Sequence, residues 1–279
     1  MTILDDYKRL NNNISIGGQI RKSSSTEAID VIDPATEEVL GEIAETSISE
    51  IDEAIEQAHA AQKIWWAKSG LERAEIMHEV ANNIHALKPK LAESMTREMG
   101  KPFKESADEV DWSVSSLRYS AEIGRSDTGR VMGNAIEGHL NYTLKEPLGV
   151  VVGIQTFNYP LCLLTWQSGA ALAAGNAFIV KPSEYTTFTT MLFAEAFAPL
   201  PDGLFQVVSG IGPAGKHLVS HPRTNMIAFT GSVPTGQAIG EICGRMMKRT
   251  LIETSGSDPF IIMPSADLDI AARAATFAS

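Results

Sequence analysis

The chain has 279 residues, of which 44% are hydrophobic and 20% are charged, the proportions of a soluble globular protein. Its formal net charge of −11 at pH 7 repels phosphate backbones and therefore argues against a nucleic-acid partner. The two cysteines, Cys162 and Cys243, form no paired framework, and the N-terminus has no signal-peptide pattern. The most apolar stretch, residues 161–175, is too short to cross a bilayer. We therefore expect a cytoplasmic protein with no membrane partner.

Residues 1–128 are predicted to form short strands followed by helices. Residues 14–43 alternate polar and apolar positions, a pattern typical of strands joined by turns. Ser47 and Glu50 form a capping box, and the apolar spacing after it predicts a helix to about residue 67. Further helices are predicted over residues 71–87, up to Gly100, and over residues 103–123 with an end at Gly124. We expect this region to pack on a cofactor-binding domain.

Residues 129–147 form a segment of a different kind. Leu140, Tyr142 and Leu144 alternate with polar residues, which indicates a strand outside the helical body. Such a strand can pair with another subunit. We therefore expect a protruding β-hairpin that serves as an oligomerisation arm, and a homo-oligomeric protein.

Residues 148–255 alternate short β-branched runs with helical segments. Five strands are predicted, over residues 150–152, 178–180, 205–208, 226–229 and 251–252. This order predicts an α/β fold with a Rossmann-like, doubly wound parallel sheet. In such a sheet ligands bind outside the carboxyl ends of the strands, where polar or glycine-rich loops recur in this sequence.

Four motifs follow these strands in a specific order. They are Phe-Asn-Tyr-Pro at residues 157–160, Lys-Pro-Ser-Glu at 181–184, Phe-Thr-Gly-Ser-x-x-x-Gly at 229–236, and the strand that carries Glu253. In this order they resemble the N-terminal, cofactor-binding part of the aldehyde dehydrogenase superfamily. The resemblance runs from about Ile14 to the last residue. The turn after Glu253 departs from the common family pattern and is similar to that of some semialdehyde-oxidising members, such as succinate-semialdehyde dehydrogenases.

The resemblance implies two catalytic residues. Asn158 would donate its side-chain amide to the substrate oxygen as that oxygen becomes an oxyanion. The alternative is an asparagine that only stabilises the turn before Tyr159-Pro160. Glu253 would act as general base towards the nucleophile or the deacylating water. The alternative is a salt-bridged carboxylate at a strand end.

The resemblance also implies a site for NAD, with NADP as the second possibility. Lys181 and Glu184 would hydrogen-bond the hydroxyls of the adenosine ribose, or else form a solvated charge pair. The Glu184 carboxylate would repel a 2′-phosphate, which favours NAD, although Lys181 would soften that repulsion. A pyrophosphate would lie at a helix N-terminus that is otherwise an ordinary glycine turn. The residues assigned to this turn are Gly231, Ser232 and Gly236, and further cofactor contacts are assigned to Gln155, Thr156, Phe157, Ser183, Gly212 and Thr254.

Other candidate sites have weaker support. Residues 210–215 spell Gly-x-Gly-x-x-Gly, but no acidic residue follows about 20 positions on, so the resemblance places this loop beside the adenine instead. His217 and His221 are four positions apart, yet without a third ligand we expect no metal site. Cys162 and Cys243 are expected to be inert core thiols.

The chain ends before the position where the family's nucleophilic cysteine would follow Glu253. Residues 256–279 are therefore predicted to begin a truncated catalytic domain, with a helix over residues 267–277. Two hypotheses remain. The first is the N-terminal portion of an NAD(P)-dependent enzyme that oxidises an aldehyde, with semialdehydes as candidates, to a carboxylic acid. It would be inactive alone and completed by a longer chain or by a complementing C-terminal polypeptide. The second is a non-catalytic module that binds a dinucleotide or pairs with other subunits.

Overall fold

The N-terminal region begins with a helix that the sequence analysis did not predict. A computed structural model describes residues 2–126, 129–133 and 136–278. Helix α1 (Ile3–Leu10) opens with a capping box between Thr2 and Asp5. Two antiparallel hairpins follow, which confirm the strands predicted for residues 14–43. They are β1 (Asn13–Ile16) with β2 (Gln19–Lys22), and β3 (Ala28–Ile32) with β4 (Val39–Ala44).

Four predicted helices are confirmed: α2 (Ile48–Trp66), α3 (Gly70–Ala86), α4 (Lys88–Met99) and α5 (Phe103–Ser126). Ser47 and Glu50 form the predicted capping box, and Gly100 closes α4 with a left-handed φ of 76°. The predicted end of α5 at Gly124 is wrong, because the helix continues to Ser126. A Cβ at Gly124 would lie 2.9 Å from the Ala173 Cβ and the Ala173 carbonyl oxygen. Gly124 therefore allows α5 to pack closely against the helix that contains Ala173, and it does not end α5.

An exposed hairpin follows α5. Strands β5 (Gly129–Met132) and β6 (Asn141–Leu144) pair antiparallel, and all their residues are exposed. This confirms the predicted strand and the protruding hairpin. Residues 127–128, where the first predicted region ends, and residues 134–135 within the arm lie outside the described residues. The arm's role in oligomerisation stays a prediction.

The remaining elements build the main sheet. In chain order they are β7 (Val150–Ile154), α6 (Cys162–Ala173), β8 (Ala177–Lys181), the 3-10 turn Glu184–Thr186, α7 (Thr187–Ala194), the 3-10 turn Glu195–Phe197, β9 (Phe205–Val207), α8 (Gly212–Ser220), β10 (Met226–Gly231), α9 (Val233–Met246), β11 (Arg249–Thr254) and α10 (Leu268–Ala278). The five predicted strands and the last predicted helix are confirmed.

The sheet has seven strands in the order β11-β10-β7-β8-β9-β1-β2. Strands β7 to β11 are parallel to one another, as predicted. At the far edge β1 and β2 add an antiparallel extension, in which Ser15 pairs with Val207. The sheet is therefore mixed, which the sequence analysis did not predict.

The core lies against the centre of this sheet. Every residue of β7, β8 and β9 is buried, as fully covered parallel strands require. Trp65 of α2 is also buried, and its indole Nε1 donates to the Leu172 carbonyl oxygen of α6 at 2.8 Å. This hydrogen bond joins α2, in the N-terminal region, to α6, which packs against the sheet. None of the helices in the described ranges combines the length and apolar character that a membrane span requires.

A buried carboxylate joins α4 to α7. Glu98 accepts hydrogen bonds from the backbone N–H groups of Phe188 at 2.8 Å and Thr189 at 2.7 Å, in the first turn of α7. The Thr189 hydroxyl also donates to it. Burial raises the pKa of the Glu98 carboxyl to about 7, against the opposing effect of these hydrogen bonds. Glu98 therefore fixes the helix that follows the Lys-Pro-Ser-Glu loop.

We predict that Glu98 makes the protein less stable as the pH rises from about 4.5 to about 7. The pKa of Glu98 is raised on folding, so its contribution to stability is complete below its ordinary value of 4.5 and is lost as the pH rises through about 7. The limiting slope for one such group is about 1.4 kcal/mol per pH unit. Urea unfolding at pH 5, 6, 7 and 8 should show this slope in the wild type and a flatter dependence in Glu98→Gln. Glu105→Gln, which removes an exposed carboxylate of α5, should follow the wild type. Parallel pH curves for Glu98→Gln and wild type would contradict the prediction.

Candidate functional site

The parallel register places the carboxyl ends of four strands at the same edge of the sheet. Ile154 at the end of β7 pairs with Lys181 of β8 and with Phe229 of β10. Phe229 in turn pairs with Ile252 of β11. The chain order reverses between β7 and β10, the kind of switch point at which such sheets bind ligands. The predicted site residues that follow these strands therefore lie along one edge.

Gln155, predicted as a cofactor contact, links two of these strand ends. Its Nε2 donates to Gln167 Oε1 at 2.6 Å, and Gln167 Nε2 donates to Thr230 Oγ1 at 3.2 Å. The Gln155 side chain is buried, and its Oε1 has no hydrogen-bond partner among the described residues. A buried acceptor of this kind calls for a donor, so the edge offers an unsatisfied polar atom to a ligand.

Asn158 lies in the exposed loop between β7 and α6. Its side-chain Oδ1 accepts the Thr156 hydroxyl at 2.9 Å, so the NH2 group is the end of the amide that remains to donate. Its backbone carbonyl oxygen accepts Lys101 Nζ at 3.0 Å. The Asn158 side chain is therefore exposed to solvent, while its backbone is held by the buried Lys101.

A buried ion pair provides this support. Lys101 Nζ lies 2.7 Å from Glu109 Oε2, and both side chains are buried. Glu109 Oε1 accepts the backbone N–H groups of Leu161 at 2.8 Å and Cys162 at 3.0 Å, at the start of α6. The pair therefore fixes both ends of the short segment that carries Asn158.

Aromatic rings line the same loop. Phe157 meets Tyr185 edge to face, with ring centroids 5.8 Å apart, and so contacts the turn after β8. Tyr159 stacks on Trp112 at 6.3 Å, and Lys101 Nζ lies 3.4 Å from the centroid of the Tyr159 ring. Phe157 and Tyr159 are both exposed.

Lys181 is buried, so the alternative of a solvated charge pair is wrong for this residue. Its Nζ donates to the carbonyl oxygens of Pro182 at 2.8 Å and Gly210 at 2.6 Å. Burial lowers the pKa of the ammonium, while Glu184 and Glu45 oppose that shift. Glu184 is half-buried in the adjoining turn, which Ser183 opens by accepting the Tyr185 N–H at 3.4 Å.

The loop after β10 presents a helix N-terminus to solvent. Ser232 caps α9 by accepting the Thr235 N–H at 3.4 Å, and this segment is exposed. A Cβ at Gly236 would lie 2.8 Å from the Thr254 methyl group, so this glycine allows α9 to pack closely on β11. Gly231 precedes the cap and ends β10. An exposed helix N-terminus with a glycine turn suits a pyrophosphate.

The Gly-x-Gly-x-x-Gly loop before α8 is different, because a carboxylate of the chain already occupies it. Glu45 accepts the N–H groups of Ile211 at 2.7 Å and Ala214 at 3.2 Å. Gly212 is exposed, with open space around it. The expectation that this loop does not take the pyrophosphate is consistent with this cap.

Glu253 lies near the end of β11, opposite Thr230 in register, and is exposed. Within the described ranges it belongs to no ion pair, so the alternative of a salt-bridged carboxylate has no support there. The pairing of β10 with β11 fixes its backbone at the same edge as Asn158.

Neither cysteine presents a reactive thiolate. Cys162 and Cys243 are both buried and free of disulfides. Burial raises the pKa of the Cys162 thiol to about 11, with a further contribution from Glu109. Burial also raises the pKa of Cys243. The structure is in agreement with the prediction of inert core thiols.

The two histidines have a third neighbour that the sequence analysis missed. Asp52 Oδ1 lies 2.7 Å from His217 Nε2 and 3.6 Å from His221 Nε2. His221 Nδ1 accepts the Arg223 N–H at 3.2 Å, so a neutral His221 carries its proton on Nε2. That tautomer cannot ligate a metal through Nε2. The cluster therefore acts in this arrangement as a polar link between α2 and α8.

Comparisons with known proteins agree with this arrangement. The model of the Aldehyde dehydrogenase family matches residues 20–279. The 4-trimethylaminobutyraldehyde dehydrogenase of Oryzias latipes is 37% identical over 272 residues, 96% of this chain and 53% of that protein. A crystal structure of an E. coli NADP-dependent enzyme has a TM-score of 0.90 and 33% identity, over 96% of this chain and 56% of that one. An NAD+ complex of aldehyde dehydrogenase from Bacillus cereus has a TM-score of 0.91 and 32% identity, over 97% and 56%. The chain spans about half the length of the curated relatives it matches.

Lys101, Glu109 and Glu45 are supporting residues that the sequence patterns did not predict. Glu109 lies on the buried face of α5 together with Val110 and Ser113. An acidic residue on such a face requires a buried partner, and that signal was available in the sequence. Glu45 has no comparable local signal, because its partners lie far along the chain.

We predict that Lys101→Met lowers the free energy of unfolding by about 3–5 kcal/mol, because it leaves the Glu109 carboxylate buried without its cation. The double variant Lys101→Met, Glu109→Gln should recover part of this loss. Urea unfolding at pH 7 measures both. Lys104→Met, which removes an exposed ammonium three residues away, is the matched control and should remain within about 0.5 kcal/mol of wild type. A Lys101→Met variant as stable as the control would show that the pair does not support the loop.

Proposed function

Because the chain belongs to the aldehyde dehydrogenase family, we propose that it is the cofactor-binding part of an NAD(P)-dependent enzyme that oxidises an aldehyde to a carboxylic acid. The observation that carries this proposal is the convergence of Asn158, Glu253 and the exposed N-terminus of α9 at one edge of the sheet. These three features are a donor, a base and an anion site, which this reaction needs together.

The residues at this edge fit a nicotinamide dinucleotide. The α9 N-terminus and Ser232 would hold the pyrophosphate, and Lys181 and Glu184 would hold the adenosine ribose. The unpartnered, buried Oε1 of Gln155 is an acceptor that a bound ligand would satisfy. When bound, the dinucleotide would accept a hydride from the substrate. A negative charge at Glu184 favours NAD, and NADP remains the second candidate.

Asn158 would act on the carbonyl oxygen of the substrate. The Thr156 hydroxyl fixes the amide oxygen, so the NH2 group is directed as the donor. A fixed donor stabilises the negative charge that develops on a carbonyl oxygen under attack. Lys101 would add to this effect by holding the Asn158 backbone, which keeps the donor in place as the charge forms.

Glu253 would take a proton in the same reaction. It projects from a strand whose position is fixed by pairing, and it is open to solvent. A carboxylate in this position can remove the proton of a thiol or of the water that releases the acid. Because both thiols of the chain are buried, we propose that the nucleophilic cysteine comes from sequence outside this chain, in the same or a complementing polypeptide.

An open cavity next to Tyr159 bears on the question of the substrate. Trp112 and Trp166 line one open cavity, and Trp112 stacks on Tyr159. Aromatic faces attract quaternary ammonium groups, and the relative from Oryzias latipes is named for a trimethylamino aldehyde. The same cavity is also lined by Arg73, Arg125, Lys145 and Arg249 and by only one carboxylate, Glu146, so its charge opposes a cationic tail and we propose no particular aldehyde. The comparisons give no support to succinate semialdehyde, the substrate that the turn after Glu253 pointed to.

The alternative function is a non-catalytic module that binds a dinucleotide. It is favoured because both cysteines are buried, whereas the loops proposed to bind the cofactor are all present. The coding sequence after codon 279 distinguishes the two. A frame that supplies a cysteine supports the enzyme, and a frame without one favours the binding module.

We predict that the purified chain binds NAD but forms no NADH when an aldehyde is added. Binding needs only the loops that are present, whereas turnover needs a thiolate, and both thiols are buried and protonated at neutral pH. Calorimetric titration measures binding, and absorbance at the NADH band measures turnover against a blank without protein. The double variant Cys162→Ser, Cys243→Ser is the control. Turnover above the blank that persists in this variant would exclude the cysteine mechanism.

A further inference from the structure

A carboxylate of the N-terminal region occupies the anion-binding end of α8. Glu45, which follows β4, accepts hydrogen bonds from Ile211 N at 2.7 Å and from Ala214 N at 3.2 Å. A Cβ at Gly210 would lie 2.7 Å from Glu45 Oε2, so a glycine is needed for this approach. The carboxylate thus lies where the dipole and free amides of α8 would favour a bound anion.

Short contacts on both sides hold Glu45 in this position. The Thr46 N–H donates to the Ser209 carbonyl oxygen at 3.2 Å, and the Ser209 hydroxyl donates to the Ala44 carbonyl oxygen at 2.7 Å. The Glu45 N–H donates to the Glu27 carbonyl oxygen at 3.0 Å. Because the backbone is tied to the loop it caps, the side chain loses little further freedom in making these bonds.

Glu45 shares its surroundings with the proposed ribose-binding residues. Lys181 Nζ donates at 2.6 Å to the carbonyl oxygen of Gly210, the same residue that faces the Glu45 carboxylate. Glu184 is the second carboxylate whose charge acts on Lys181. The charges of two carboxylates therefore act on one buried ammonium, and two amides at the start of α8, those of Ile211 and Ala214, are already engaged by Glu45.

We propose that Glu45 is a specificity-determining residue that disfavours NADP. This inference rests on the proposed dinucleotide site, in which Lys181 and Glu184 hold the adenosine ribose. The 2′-phosphate of NADP would lie close to Lys181 and would meet the Glu45 charge, and it would find the Ile211 and Ala214 amides already bonded to Glu45. The 2′-hydroxyl of NAD carries no charge and avoids both costs. Glu45 thus acts in addition to Glu184, from a different part of the chain.

Binding of three ligands to the purified chain tests this proposal. NAD, NADP and adenosine 2′,5′-bisphosphate are titrated calorimetrically into wild type and Glu45→Gln at low and physiological salt. We expect wild type to bind NAD at least about tenfold more tightly than NADP. Glu45→Gln should bind NADP and the bisphosphate about tenfold more tightly than wild type does, with less than a twofold change for NAD. The gain should shrink at the higher salt concentration, because screening weakens charge repulsion.

Glu42→Gln is the matched control. Glu42 is an exposed carboxylate of β4, three residues before Glu45, and its partner is Asn12. Its removal changes the net charge equally and should leave the ratio of NADP to NAD affinity unchanged. Thermal unfolding of each variant reports on the fold. If Glu45→Gln does not fold, Glu45→Ala removes the same charge and takes its place.

Several results would overturn the proposal. One is an unchanged ratio of NADP to NAD affinity in a folded Glu45 variant, and another is an equal gain for both dinucleotides. A wild type that binds NADP as tightly as NAD would also overturn it. A wild type that binds neither dinucleotide would refute the proposed function, and the inference with it. That failure is visible before any variant is made.

Discussion

Carboxylates from residues 1–128 cap three helices of the sheet, and the arrangement of the candidate site depends on these contacts. Glu109 accepts amide groups at the start of α6, Glu98 at α7 and Glu45 at α8. Each cap satisfies N–H groups that have no partner inside the helix and, when ionised, places negative charge where the helix dipole favours it. The helices are thereby fixed against the N-terminal region as well as against the sheet.

The N-terminus of α9 is capped differently. Its cap is Ser232, an uncharged residue of the adjoining loop, and the surrounding turn is open to solvent. In the proposed site an incoming anion would be attracted to α9, because its N-terminus is exposed and carries no carboxylate. The glycine motif alone does not make this selection, since the loop before α8 contains the fuller Gly-x-Gly-x-x-Gly sequence. In the proposed dinucleotide site, the occupancy of the helix end would therefore decide which loop receives the phosphate.

Local patterns in the sequence were sufficient to predict the parallel strands, helices α2–α5 and the residues at the strand ends. Each of these depends on one buried face or on a rule that links strand ends to ligands. The same patterns could not identify the partners of β1, because alternation indicates a strand and leaves its neighbour open, here the pairing of Ser15 with Val207. Gly124 was interpreted as a helix end because its packing against another helix is not visible locally. Glu45 and Asp52 were missed for the same reason, since only the fold brings them to α8.

The three carboxylate caps also have a consequence for the inheritance of this fold. A gene exchange that replaced residues 148–255, with the five parallel strands, and kept residues 1–128 would have to bring helix ends to the same three places. Glu98 and Glu109 are fully buried, and without those amides each carboxylate would be left in the interior with fewer or no donors. A hybrid of that kind would fold poorly however good its new sheet was. We therefore expect the N-terminal region and the sheet to have passed between genes as one unit of recombination.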